Sequence, residues 1–211
     1  MGAKLSEVTQ IPMERCATFT FDCTDEMGFP VQKRLVAELM GRTCNLYLLS
    51  PEGRIIDCLR RIGLDAGAKR TALPGMYYQD PEPVEKLHPL DAVFSALLQD
   101  PGADLLADRL MDSLGGLSPL VCREAALFAA DSVDARLEGQ DMMPIANKLE
   151  LFFRENLSHP QPSYFAQSDG TPKQFAFCPI RQYGSYETAG GFSELLDLYY
   201  TVRGRKDAMR Q

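Results

Sequence analysis

No stretch of this 211-residue chain approaches the roughly 18 consecutive apolar residues that a membrane span requires. Its first residues (Met1-Gly2-Ala3-Lys4-Leu5-Ser6-Glu7) contain no apolar core segment. The expectation is therefore a protein without a secretory signal, cytoplasmic and not bound to a membrane. Met1-Gly2 with Ser6 matches only the first letters of a myristoylation signal. Histidine is scarce, with His88 and His159 alone, and the six cysteines (Cys16, Cys23, Cys44, Cys58, Cys122, Cys178) form no Cys-x-x-Cys pair. A tetrahedral zinc site needs clustered ligands, so no metal is expected, and reduced, mostly buried thiols are favoured over a disulfide framework. Internal repeats, low-complexity tracts, a Gly-rich phosphate loop, a His-x-x-x-His pair and a Ser/His/Asp set are all missing. Those gaps point to no catalytic residue, no cofactor and no enzyme.

What is present is ordinary for a globular chain: 45% hydrophobic and 24% charged residues. A net charge of −7 argues against bulk electrostatic coating of nucleic acid, DNA included. The charge is uneven, however. Val31 to Gly75 holds eight basic residues (Lys33, Arg34, Arg42, Arg54, Arg60, Arg61, Lys69, Arg70) against four acidic ones. Asp80 to Glu155 holds fifteen acids against six bases. A localised phosphate-binding surface and plain solvated faces both fit this asymmetry.

The pattern predicts an α+β fold, with an antiparallel sheet first and helices after it. Ala17–Phe21, Val31–Leu39, Asn45–Leu49 and Arg54–Leu59 read as strands. Turns lie at Asp25–Gly28 and Pro51–Gly53, and Gly63 to Gly75 reads as loop. Pro81 and Pro83 mark a boundary. Pro89–Leu98 reads as one helix, and a further helix runs near Ile145, Leu149, Phe152 and Phe153. Ser168-Asp169-Gly170 is a hairpin signal between Tyr164–Gln167 and Gln174–Phe177. Ser193 is the expected N-cap of a terminal helix. The expected divisions are 1–79 (sheet), 80–157 (helices) and 158–211 (hairpin and terminal helix).

The segment Leu114-Gly115-Gly116-Leu117-Ser118-Pro119-Leu120-Val121-Cys122-Arg123-Glu124 is the most distinctive. A helical run (Leu106, Leu110, Leu114) stops at paired glycines, and a second helix restarts with Ser118 as N-cap and Pro119 at its first position, placing Leu117, Val121, Ala125 and Phe128 in one stripe. The second N-terminus can hold phosphate, and an ordinary helix–turn–helix corner explains it equally.

Val36-Ala37-Glu38-Leu39-Met40-Gly41-Arg42-Thr43-Cys44-Asn45-Leu46 resembles the "E-x-MGR-x-x-N" block of the NFACT family, which includes RqcH-type ribosome quality control proteins also described as fibronectin-binding protein A homologues. Gly53–Asp57, Leu73-Pro74-Gly75-x-Tyr77 and Leu87–Leu90 fall where that family has similar blocks. Gly116–Glu124 resembles its helix–hairpin–helix segment "GISPLLARE". Phe175–Ile180 and Phe192–Met209 resemble the blocks leading toward its coiled coil. The resemblance implies part of an NFACT N-terminal domain plus a helix–two-turn–helix region, related in fold to formamidopyrimidine-DNA glycosylases. It also implies binding of tRNA and of large ribosomal subunits (rRNA) carrying stalled nascent chains, and support for C-terminal alanine tailing. The glycosylase chemistry does not transfer, because position 2 is glycine rather than a proline nucleophile.

Relative to the family, the expected first strands, coiled coil and C-terminal RNA-binding domain are missing. The expectation is a fragment whose exposed sheet edge or face is covered by an upstream domain or by a second copy. The family's Asp-Arg pair is here Glu14-Arg15, with Arg15 suited to phosphate or base contact and Glu14 to orienting it. Arg42 serves RNA contact, pairing with Glu38, or capping of the sheet edge. Gly41 serves backbone geometry. Arg60-Arg61 and Lys69-Arg70 are candidate phosphate contacts or a solvated face, and Gly116 and Ser118 complete the RNA-binding candidates. The competing reading is a protein-interaction module, as a fibronectin-binding-type adhesin or a dimerisation scaffold, without RNA binding.

Overall fold

The computed structural model describes residues 2–63, 70–82, 85–99 and 104–208, with backbone alone at residues 42, 203 and 205–208. It contains antiparallel sheets and helices, an α+β architecture, and the chain divides into two compact units, residues 1–84 and 85–211.

The first unit is a five-stranded antiparallel meander in the order β1 (Lys4–Gln10), β2 (Cys16–Thr24), β3 (Pro30–Glu38), β4 (Asn45–Leu49), β5 (Ile55–Cys58). Strand β1 was not foreseen. All seven of its residues are exposed, so it carries none of the buried alternation by which strands are recognised. It is held by backbone pairing to β2, from Lys4 opposite Asp22 to Gln10 opposite Ala17. On one sheet face Cys16, Val36, Tyr47, Leu49 and Ile55 form a small core with Ala72. Of the loop expected over Gly63–Gly75, residues 64–69 lie outside the described residues; beside them Ile62 and Ala72 form an isolated bridge, with Ile55 N donating to Met76 O and Gly75 N to Ile55 O.

The second unit packs α1 (Phe94–Leu97), α2 (Leu106–Ser113), α3 (Pro119–Ala130) and α4 (Met142–Ser158) around Leu106, Leu110, Leu114, Val121, Ala125, Leu149 and Phe153. The Phe94 and Phe153 rings stack at 5.5 Å between centroids. A three-stranded antiparallel sheet, ordered β7 (Pro172–Ala176), β6 (Ser163–Ala166), β8 (Glu187–Thr188), and the helix α5 (Phe192–Ala208) complete it. The turn at Asp169-Gly170 joins β6 to β7 as expected, with Gly170 N donating to Gln167 O.

Two expected helix boundaries are corrected. The helix expected over Pro89–Leu98 shrinks to Phe94–Leu97, because Leu90 N donates to His88 Nδ1 and Asp91 N to His88 O, turning the chain before it can wind. Ser193 is not an N-cap: it sits inside the first turn of α5, where Glu194 Oε2 instead accepts from Gly190 N at 2.8 Å. The stripe of α3 also ends early, since Phe128 surfaces while Leu120, Cys122, Glu124 and Ala126 join the buried face.

Candidate nucleic-acid interface

Antiparallel alternation carries the β1–β2 turn (Ile11–Arg15), the β3–β4 link (Leu39–Cys44) and the segment after β5 (Leu59–Arg61) to one end of the first sheet. Backbone hydrogen bonds tie this rim together. Leu39 N donates to Arg15 O at 2.7 Å, and Leu59 N to Leu46 O at 2.9 Å. The rim thus gathers Glu14, Arg15, the turn bearing Arg42, Arg60 and Arg61, residues up to 47 positions apart in the chain.

Each part has a local cause. In the first turn Ile11 N donates to Cys16 O and Glu14 N to Ile11 O, while Met13 adopts φ 60°, a conformation uncommon for a non-glycine residue. Gln10 Nε2 braces the turn on Glu14 O at 2.9 Å. Arg15 is exposed and Glu14 half-buried, and among the described residues neither side chain has a partner. The β3–β4 link is a short 3-10 turn, Gly41–Thr43, opened by Gly41 at φ 64°, which fits the geometric role expected of that glycine. The side chain of Arg42 lies outside the described residues, as does Lys69 entirely.

Beneath the rim lies the acid of the E-x-MGR-x-x-N block. Glu38 is 1% exposed, and its carboxylate accepts from Arg70 Nη1 at 2.9 Å, Arg70 Nη2 at 2.7 Å and Tyr78 Oη at 2.8 Å. Arg70 Nη1 also donates to Gln79 O at 2.6 Å. This hydrogen bonding raises the Arg70 pKa, while burial and then the Glu38 carboxylate push the Tyr78 phenol far above its ordinary range. Cys16 Sγ lies 3.8 Å from Tyr78 Oη, and burial raises that thiol too. Arg70 is thus engaged inside the fold, and Glu38 has both oxygens occupied by Arg70 and Tyr78.

The block's asparagine is equally committed. Asn45, 2% exposed, donates to Arg60 O at 2.9 Å and accepts from Arg60 N at 2.8 Å, clamping the segment after β5 against the start of β4. This clamp places Arg60 and Arg61 on the rim. Arg61 forms an ion pair of 3.3 Å with Asp57, both side chains more than 60% exposed, so solvent screens the contact and the guanidinium stays within reach of a ligand. Sequence reasoning missed Tyr78 and the pairing of Glu38 with Arg70. A carboxylate closing a strand on its core-facing side was the available signal, since such a group requires a charged or hydrogen-bonding partner.

In the second unit the expected turn between α2 and α3 is present. Gly116 adopts φ 71°, Ser118 Oγ accepts from Val121 N at 3.3 Å, and Pro119 opens the helix. Cys122 N donates to Ser118 O, and proline has no N–H, which leaves the amide of Leu120 as the first-turn donor for an external acceptor. The helix end faces a groove of about 550 Å³ lined by Gly116, Ser118, Arg123, Gln174, Phe177 and Tyr183. Arg123 pairs with Asp134 at 3.1 Å. Among the described residues no helix is long and apolar enough to cross a membrane, and no three His, Cys, Asp or Glu residues cluster as metal ligands would.

The chain is similar to several known proteins. A protein of Bacillus subtilis named Rqc2 homolog RqcH is 26% identical over 213 residues, covering 100% of this chain and 36% of that protein. The protein of the same name from Streptococcus pneumoniae is 26% identical over 218 residues, covering 100% of this chain and 34% of its own length. The chain therefore spans about a third of the length of these relatives. Among solved structures, the N-terminal part of the fibronectin/fibrinogen-binding protein of Streptococcus suis superposes with a TM-score of 0.70 at 24% identity, over 95% of this chain and 68% of that one. The fibrinogen-binding protein of Staphylococcus aureus does so with a TM-score of 0.68 at 22% identity, over 93% and 70%. These two establish shared fold. The family model for NFACT N-terminal and middle domains matches residues 1–211, and the chain belongs to the NFACT family.

Proposed function

We propose that this chain is an RNA-binding part of a ribosome quality control factor, and that the sheet rim of the first unit contacts tRNA and the rRNA of stalled large subunits in the cytoplasm. The observation that carries the reading is the convergence of Arg15, Arg60 and Arg61, with the Arg42 turn, on one rim whose nearest buried acid is already neutralised by Arg70. Arginines on a braced rim suit phosphate and base contact, and Arg15 has no competing partner among the described residues. The relatives' names, Rqc2 homolog RqcH, support the same direction. The rim acts by binding rather than catalysis in this reading, since Glu38 is committed to structure and burial raises the Cys16 thiol, disfavouring a thiolate nucleophile. Support of nascent-chain tailing belongs to the whole factor.

Co-sedimentation with purified large ribosomal subunits tests it, using the wild-type chain and Arg15→Ala at two salt concentrations. Arg15→Ala is expected to weaken binding at low salt with thermal stability nearly unchanged, and the difference shrinks as counterions compete. Equal binding of both proteins at low salt, to subunits and to tRNA, refutes the role of Arg15. A second reading, adhesion, is favoured by the names of the structural neighbours from S. suis and S. aureus. Saturable binding to immobilised fibronectin by a chain that ignores ribosomal subunits would establish it instead.

A further inference from the structure

The second unit holds a cavity of about 310 Å³ that the rim reading does not use, lined by Glu124, Phe128, Asp131, Phe152, Asn156 and Arg181 along with Leu127 and Pro179. That size is at the small end of the range for small-molecule sites. Glu124 is 3% exposed, and its Oε1 accepts both from Gln182 N and from Gln182 Nε2 at 2.8 Å. Its Oε2 has no partner among the described residues, and it is not sealed from the cavity it lines. A buried carboxylate with one open oxygen asks for a donor.

The other walls specify which donor. Phe128 surfaces at 36% exposure beside Phe152, their centroids 5.6 Å apart, and offers an aromatic face. Asn156 Nδ2 donates to Phe152 O at 2.8 Å, which leaves its carbonyl oxygen as a further acceptor. Asp131 lies at the rim, 3.8 Å from Lys148. The cavity is therefore rich in acceptors and aromatic on one side, and it suits a flat ring with several adjacent N–H groups. Guanine offers N1–H and an exocyclic amino group side by side on one edge, whereas cytosine and adenine pair their amino group with an acceptor ring nitrogen and uracil offers a single N–H. A guanidinium also presents many donors. Arg181, exposed and without an acidic partner among the described residues, repels such a cation and attracts a phosphate.

We propose that this cavity binds a guanine nucleotide, the base donating to Glu124 Oε2 and stacking on Phe128, with its phosphate on Arg181. For an RNA-borne guanine as the natural source, the inference rests on the RNA-binding reading above.

The test titrates the 211-residue chain with guanosine, guanosine 5′-monophosphate, adenosine 5′-monophosphate, cytidine 5′-monophosphate, N-acetyl-arginine amide, and the hexanucleotides UUGUUU and UUUUUU, read by ligand-observed NMR and fluorescence anisotropy. Guanosine monophosphate is expected to bind at least fivefold more tightly than cytidine monophosphate, and UUGUUU more tightly than UUUUUU if the source is RNA. Binding of the free nucleotide without preference for UUGUUU assigns the site to a free guanine nucleotide. Glu124→Gln keeps the acceptor for Gln182 but turns the open oxygen into a donor, and is expected to weaken guanosine monophosphate about tenfold. Should that variant unfold, Phe128→Leu removes the ring face and is expected to weaken binding about fivefold, and Arg181→Ala should weaken the monophosphate more than guanosine. Tighter binding of the arginine amide, no preference for guanine, or affinities unmoved in the folded variants overturns the proposal. Ribosome binding that is lost in Arg15→Ala while guanosine monophosphate fails to bind refutes the cavity alone. Guanine binding without any affinity for subunits or tRNA refutes the rim reading alone.

Discussion

Replacing Arg70 with alanine is expected to destabilise the first unit by about 3 kcal/mol while leaving RNA affinity per folded molecule unchanged. The magnitude follows from what the guanidinium touches. Breaking a buried ion pair by removing one partner costs roughly 3–5 kcal/mol, because a charge is left uncompensated. Glu38 is 1% exposed and would lose two hydrogen bonds, of 2.9 and 2.7 Å, keeping only the Tyr78 hydroxyl at 2.8 Å. The retained hydroxyl and the 26% exposure of the Arg70 side chain place the expectation at the lower end of that range. Arg70→Lys keeps the charge but not the two-pronged geometry, and should cost about 1 kcal/mol. Combining Arg70→Ala with Glu38→Gln removes the stranded charge, so the double variant should be less destabilised than the sum of the singles. Urea unfolding followed by circular dichroism measures these three and Glu38→Gln alone. If Arg70→Ala stays within about 0.5 kcal/mol of wild type and instead weakens tRNA binding, the buttress assignment is wrong and Arg70 is a ligand contact.

Three further outcomes are expected. Asn45→Ala should cost about 2–3 kcal/mol in urea unfolding, since a buried clamp on both backbone groups of Arg60 is lost, and should also weaken subunit binding by releasing Arg60 and Arg61 from the rim. Ser118→Ala should cost about 1 kcal/mol by removing the cap on Val121 N, with little change in tRNA affinity at matched folded fraction if the helix end holds no phosphate. Burial pushes Cys122 and Cys178 from 9.0 up to about 12. A pKa raised by folding contributes stability that is complete below the unfolded value and lost as pH rises through the folded one. Urea midpoints should therefore fall between pH about 9 and 12, and Cys122→Ala with Cys178→Ala should flatten that decline. A flat wild-type profile over this window would refute it.

Much was legible without coordinates. Strong local rules set the alternating strands β2 to β5, the Asp169-Gly170 hairpin, and the glycine stop and Ser118-Pro119 start between α2 and α3. Each is written in a few adjacent residues, whose φ preferences and capping atoms act over less than two turns. The family blocks identified the chain for the same reason, as short ordered matches along it. Local rules also failed where tertiary pairing overrode them. Strand β1 has no buried face and exists because β2 supplies hydrogen-bond partners. The expected helix over Pro89–Leu98 lost its first turn to His88, and Ser193 lost the cap to Glu194.

The role of each charged residue was decided only in three dimensions. Arg15, Arg60, Arg61 and Arg70 look alike in sequence as basic residues flanking strands. Folding sends Arg70 inward to Glu38 across 32 positions, while Arg15, 45 positions before Arg60, is carried to the same end of the sheet as Arg60. The two acids of the family blocks, Glu38 and Glu124, turn out to be buried anchors, because each finds its donors in a distant loop, Arg70 and Tyr78 for one and Gln182 for the other. Charge, hydrophobic period and capping are properties of neighbours in the chain, and the amino-acid order determines them directly. Whether a charge meets a partner, and so whether it serves the fold or remains available to a ligand, depends on desolvation and pairing that exist only once distant segments pack.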